Sequence, residues 1–84
     1  MTSTPIHSAT QLARRLRDAR RALGLTQAEL ASLSGVAQPT ISNIERAATG
    51  TSVDTLLRLL GCLKLELSIG PRPQIDAAEV WDRG

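Results

Sequence analysis

Only the short stretch from Gly35 to Ala37 separates two brief segments of helical hydrophobic period, and this spacing constrains the chain more than any other feature. Helices joined by so short a glycine-containing turn meet at a steep angle rather than running side by side. The first of the two is predicted at about 26 to 34. It opens on Thr26 and Glu29, a capping box in which the hydroxyl and the carboxylate each satisfy a backbone N–H at the helix start, and it closes at Gly35. The second is predicted at about 37 to 46, where Ala37, Ile41, Ile44 and Ala48 share one face. Pro39 fits its first turn, where a missing N–H costs no helical bond.

Two further helices flank this pair. Leu12, Leu16, Ala19 and Leu23 recur at helical spacing and predict a helix over about 10 to 23, with Gly24 just past its end and Arg14, Arg17 and Arg21 off the apolar stripe. Thr51 with Asp54 gives a second capping signal. Val53, Leu56, Leu57, Leu60 and Leu63 then predict a helix over about 52 to 61. After it the period changes, because Leu63, Leu65, Leu67 and Ile69 alternate with Lys64, Glu66 and Ser68 as in a half-buried strand. The other reading is that the fourth helix continues through Gly61. A lone strand needs a partner, from a second copy, another protein or the N-terminal arm. The chain thus divides into an arm (1 to 9), a domain (10 to 70) and a Pro- and Gly-rich tail (71 to 84) carrying Trp81. The fold class expected is all-α, with four or five helices and one C-terminal strand.

With 84 residues there is room for one small domain of marginal stability, for which oligomerisation is an economical remedy. Trp81 is the sole aromatic residue, so the core must be made of Leu, Ile, Val and Ala. No apolar run is long enough to span a bilayer and no signal-peptide pattern opens the chain, which predicts a cytoplasmic protein without membrane contact. One cysteine, Cys62, and one histidine, His7, exclude an internal disulfide and a zinc site, and Cys62 reads as a small buried apolar residue. Nothing is spaced as a catalytic triad or a phosphate loop, so neither enzyme activity, metal nor cofactor is expected. The net charge of +2 hides an asymmetry. Residues 1 to 46 hold six arginines against three acids, and residues 47 to 84 hold four basic residues against five acids. A basic first half suits a polyanion.

Placed on a wheel, the third helix sends Ala37, Ile41 and Ile44 inward and Pro39, Ser42, Asn43 and Arg46 outward, with Gln38 and Thr40 on the flanks. A basic helix followed by two short helices about a tight turn is the helix-turn-helix arrangement, whose second helix enters the major groove with its N-terminal residues on base edges. Gln and Asn can offer a donor and an acceptor to adenine, and Ser or Thr can bond several bases. An ordinary solvated helix face has the same composition.

Leu23 to Glu45, LGLTQAELASLSGVAQPTISNIE, resembles the Xre (Cro/C1-type) helix-turn-helix family without a gap. The resemblance implies a lambda-repressor-like fold in which Gln38, Pro39, Thr40, Ser42 and Asn43 read bases and Gln27 bonds a phosphate from a helix N-terminus. Arg46 and Arg17 would add phosphate contacts, and Arg20 and Glu45 would form the family's buried ion pair. Pro39 departs from the Gln, Ala or Ser usual there. TQLA in the first helix, TISN in the third, the Leu-rich fourth helix running into LKLELSI and the Trp-containing tail resemble the HipB antitoxin branch. That likeness implies a homodimer joined through the strand Leu63, Leu65, Leu67 and Ile69, double-stranded operator DNA as ligand, repression of its own operon, and a HipA-like serine/threonine kinase toxin as partner. Trp81 is the candidate toxin contact, or else folds back on the Leu-rich face. Two other readings fit the same residues: a stand-alone Xre-type repressor, and a protein-interaction module with residual DNA binding.

Overall fold

The computed structural model describes residues 5–47 and 50–72. Four helices follow in order, α1 (Ala9–Ala22), α2 (Gln27–Ser34), α3 (Gln38–Ala47) and α4 (Val53–Cys62). α3 packs against both α1 and α2, and α2 also packs against α4.

Each boundary has a local cause. Ser8 caps α1 by accepting from the Gln11 amide, so the arm ends one residue earlier than the sequence pattern placed it. Gly24, at φ 72°, lets the Leu25 amide reach the Arg20 carbonyl at 3.1 Å and its own reach that of Arg21 at 2.9 Å, closing α1 in a Schellman motif. The capping box of α2 is complete: Glu29 N–H donates to Thr26 Oγ1 at 3.0 Å and Thr26 N–H to Glu29 Oε1 at 2.8 Å. Gly35, at φ 76°, ends α2 in a left-handed conformation that a side chain resists.

Three expectations are corrected here. α4 is capped by Ser52, whose Oγ accepts from the Thr55 amide, and not by Thr51; Asp54 instead meets Arg58 one turn on at 3.1 Å. Ala37 precedes α3 and is exposed, so that helix buries Ile41 and Ile44 without it. In α4 the inward stripe is Leu56, Leu59, Leu60 and Leu63, whereas Val53 and Leu57, one turn apart, face outward.

The core consists of Leu16, Leu30, Val36, Ile41, Ile44, Leu59, Leu60 and Leu63, all aliphatic, with Leu12, Ala19, Ala31, Leu56, Cys62 and Leu65 packed around it. Each fully buried Leu or Ile stabilises the fold by about 1.5–3 kcal/mol.

The C-terminal strand differs from its expected form. Leu63 belongs to the end of α4 and to the core, and Lys64, at φ 59°, makes a second Schellman turn in which the Leu65 amide bonds the Leu60 carbonyl at 2.9 Å. Residues 65–72 form no β-bridge within this chain. A strand whose partner lies outside the chain has nothing to bond within it. Among the described residues no helix is long and apolar enough to cross a membrane.

Candidate nucleic-acid interface

α3 follows α2 across the Gly35 turn, packs against it, and presents a polar outer face. On α3, Gln38, Pro39, Asn43 and Arg46 are exposed, and Thr40 and Ser42 are half-buried at its flanks. These residues share one side of the helix because Ile41 and Ile44, each 1% exposed, pin the other side to the core. Ala37 brings no side-chain acceptor to the helix start, and Pro39 removes one of the amides there. Arg46 does not stand alone, since its Nη2 donates to Asn43 Oδ1 one turn back.

Beneath this surface lies a buried ion pair. Arg20, 8% exposed, reaches from α1 and donates from Nε to Glu45 Oε2 at 2.7 Å and from Nη2 to Glu45 Oε1 at 2.9 Å. Its remaining nitrogen, Nη1, donates to the Leu25 carbonyl at 2.7 Å in the loop that leads into α2. One guanidinium therefore ties α1, the α1–α2 loop and the end of α3 together, in the fork geometry that matches a carboxylate. Burial pushes the Glu45 carboxyl up, but hydrogen bonds from Arg20 and Gln27 and the charges of Arg20 and Arg21 outweigh it and hold the carboxyl below its ordinary value. The bond to Glu45 raises Arg20 against the effect of burial.

Gln27, the first residue of α2, is half-buried and donates from Nε2 to Glu45 Oε1 at 3.2 Å. One of its two amide protons is thus used on the ion pair, and the other is left for a ligand at the α2 N-terminus. The capping box takes the Glu29 amide, so the Gln27 and Ala28 amides are the ones there without a capping partner among the described residues. Arg17 is half-buried on α1; its Nε lies 3.9 Å from Asp18 Oδ1 and has no hydrogen-bond partner.

The structure thus gathers Gln38, Pro39, Thr40, Ser42, Asn43 and Arg46 on one face and places Arg20, Glu45 and Gln27 directly behind it. Trp81 lies outside the described residues. Sequence reasoning missed three contacts, Arg20 with the Leu25 carbonyl, Gln27 with Glu45 and Arg46 with Asn43. The last was signalled by i, i+3 spacing on a helix. Among the described residues no group of His, Cys, Asp and Glu is placed to hold a metal ion.

A basic first helix, a capped second helix and a polar third helix set across a glycine turn define a helix-turn-helix protein, and the chain belongs to that family: residues 16–69 match the family model HTH_3, Helix-turn-helix. Within it the chain is similar to Antitoxin HipB of Escherichia coli O6:H1, with 39% identity over 84 residues that cover 98% of this chain and 89% of the relative. Two solved structures share the fold. The HipA-HipB-O2-O3 complex aligns with a TM-score of 0.79 and 35% identity, over 84% of this chain and 100% of the other. The HipB-O4 20mer complex aligns with a TM-score of 0.78, 35% identity and the same coverage.

Proposed function

We propose that this chain is a HipB-like antitoxin: a homodimer that binds a palindromic operator, represses its own operon, and binds and neutralises a HipA-like serine/threonine kinase toxin. The observation that carries the reading is the outward face of α3, polar and free of acid, held rigidly by Ile41, Ile44 and the Arg20–Glu45 pair. Likeness to HipB structures over most of the chain supports the same assignment. In this reading Gln38, Pro39, Thr40, Ser42 and Asn43 meet base edges in the major groove, while Gln27, Arg17 and Arg46 meet phosphates. The free proton of Gln27 is a donor suited to a phosphate oxygen, and Arg17, whose Nε is itself buried, would meet phosphate through the exposed part of its guanidinium.

Dimerisation follows from what the single chain leaves uncovered. Val53, Leu57, Leu67 and Ile69 are 67%, 47%, 53% and 91% exposed. Pairing of residues 65–69 across a two-fold axis would give the unbridged segment its partner and cover Leu67 and Ile69. The two copies of α3 would then sit about 34 Å apart, one turn of DNA. Trp81 is assigned to the toxin interface.

The test is fluorescence anisotropy of the purified chain against duplex from its own upstream region and a scrambled duplex, at near-physiological salt. A preference of about a thousandfold or more supports a specific repressor. Equal binding to both overturns that part of the reading and favours a protein-interaction module. The antitoxin part is tested by co-expression with the neighbouring kinase gene, where relief of growth arrest that disappears with Trp81→Ala is the expected result.

A further inference from the structure

We infer that Arg46 is a positioning residue for base reading: it fixes the side-chain amide of Asn43 so that Asn43 meets the groove as a hydrogen-bond donor. This rests on the DNA-binding reading above and deepens it. A guanidinium has N–H donors and no acceptor, so the atom of the amide that faces Arg46 must be the oxygen. The chemistry of the pair, and not a choice between two similar atoms, therefore sets the orientation of the amide. The NH2 group is turned away from Arg46, and both residues are exposed on the outward side of α3.

An unrestrained Asn can rotate its amide and offer either oxygen or nitrogen to a base. Held by Arg46, the amide keeps its oxygen on the Arg46 side, with one of two lone pairs occupied, and turns its two N–H donors the other way. In the major groove guanine offers N7 and O6, thymine O4, and adenine N7 beside its N6 amino group, as acceptors, whereas cytosine offers only the N4 amino donor. Donor facing donor is unfavourable, so the base opposite Asn43 is selected against cytosine. Arg46 thus contributes to sequence preference through Asn43, in addition to any attraction of its charge for phosphate.

The experiment uses the full chain and a 20-base-pair duplex selected by it from a random pool, together with every single-base-pair variant of that duplex. Asn43→Ala locates the base pair that Asn43 reads, as the position where preference disappears. The expected result is that the native chain disfavours cytosine there by about tenfold or more, and that Arg46→Met brings this to within about twofold while leaving preferences elsewhere intact. In the Asn43→Ala background, Arg46→Met should weaken all duplexes equally. Arg46→Ala serves as a second variant at this exposed site, with thermal melting to confirm folding. An unchanged base profile in Arg46→Met, or a loss spread evenly over all positions, overturns the inference and leaves Arg46 as a phosphate contact only. Failure of the native chain to select any sequence would overturn the DNA reading itself.

Discussion

The segment from α1 to α3 and the segment from α4 onward are built from the same aliphatic residues and share one core, yet the second leaves more of its large apolar side chains exposed. In the first, Leu23 and Leu33 are the large apolar side chains left exposed, and the Arg20–Glu45 pair, buried among the described residues, is bonded by four hydrogen bonds reaching α1, α2, α3 and a loop. In the second, one side of α4 joins the core through Leu59, Leu60 and Leu63 while Val53, Leu57, Leu67 and Ile69 face outward. Two surfaces of different chemistry result, a polar one on α3 and an apolar one formed by Val53, Leu57, Leu67 and Ile69.

The largest expected effect lies in the segment from α1 to α3. Glu45→Ala leaves Arg20 buried without its carboxylate and should cost about 3–5 kcal/mol, read as a lower midpoint in urea unfolding. The double change Arg20→Met with Glu45→Leu should recover most of that loss, because it removes both charges. The pH dependence has a definite sign. Since Glu45 titrates below its ordinary value in the folded chain, its contribution is fully present above the unfolded-state value and is lost as pH falls through the folded one. Glu45→Gln should accordingly flatten the acid limb of a stability profile, and an unchanged limb would show that the pair does not govern it.

Next comes the contrast with the apolar surface. Leu67→Lys with Ile69→Lys should leave the core untouched but abolish the concentration dependence of Tm. The lost stabilisation should be roughly 2.7 kcal/mol at concentrations about a hundredfold above the dimer Kd. Equal melting of native and variant chains at all concentrations, with both monomeric in sedimentation, would remove the asymmetry between the two regions. Thr26→Ala deletes half of the capping box and should cost about 1 kcal/mol. The smallest effect, of opposite sign, is at Lys64. A lysine at φ 59° occupies a conformation that glycine adopts freely, so Lys64→Gly should stabilise the chain by about 0.5–1 kcal/mol in thermal melts.

Much of this molecule is legible in its residues. Thr26 with Glu29, Gly24 and Gly35 mark helix ends through local hydrogen bonds and φ preference, which depend on neighbours a few positions away. Ile41 and Ile44 mark the inward side of α3 in the same manner, and with it the outward face of Pro39, Asn43 and Arg46, whereas Ser42, expected outward, is half-buried and Gln38, expected on a flank, is exposed. Where several apolar residues crowd one helix, local pattern is insufficient. Val53, Leu57 and Leu59 are all hydrophobic, and packing of α4 onto the core decided that Leu59 goes in and the other two out. Leu63 fits both the helical and the alternating period, and the Schellman turn at Lys64 assigned it to the helix.

The sequence by itself determined four helices, the capping box of α2, the glycine ends of α1 and α2, the tight turn between α2 and α3 and the side chains available to a ligand, because those follow from interactions within a turn or two of chain. Only the tertiary structure decided that Gln27 shares Glu45 with Arg20, that one guanidinium ties three segments together, and which side of α4 remains open. Those contacts join residues 18 to 25 positions apart, or select among chemically equivalent leucines, and both depend on how helices pack.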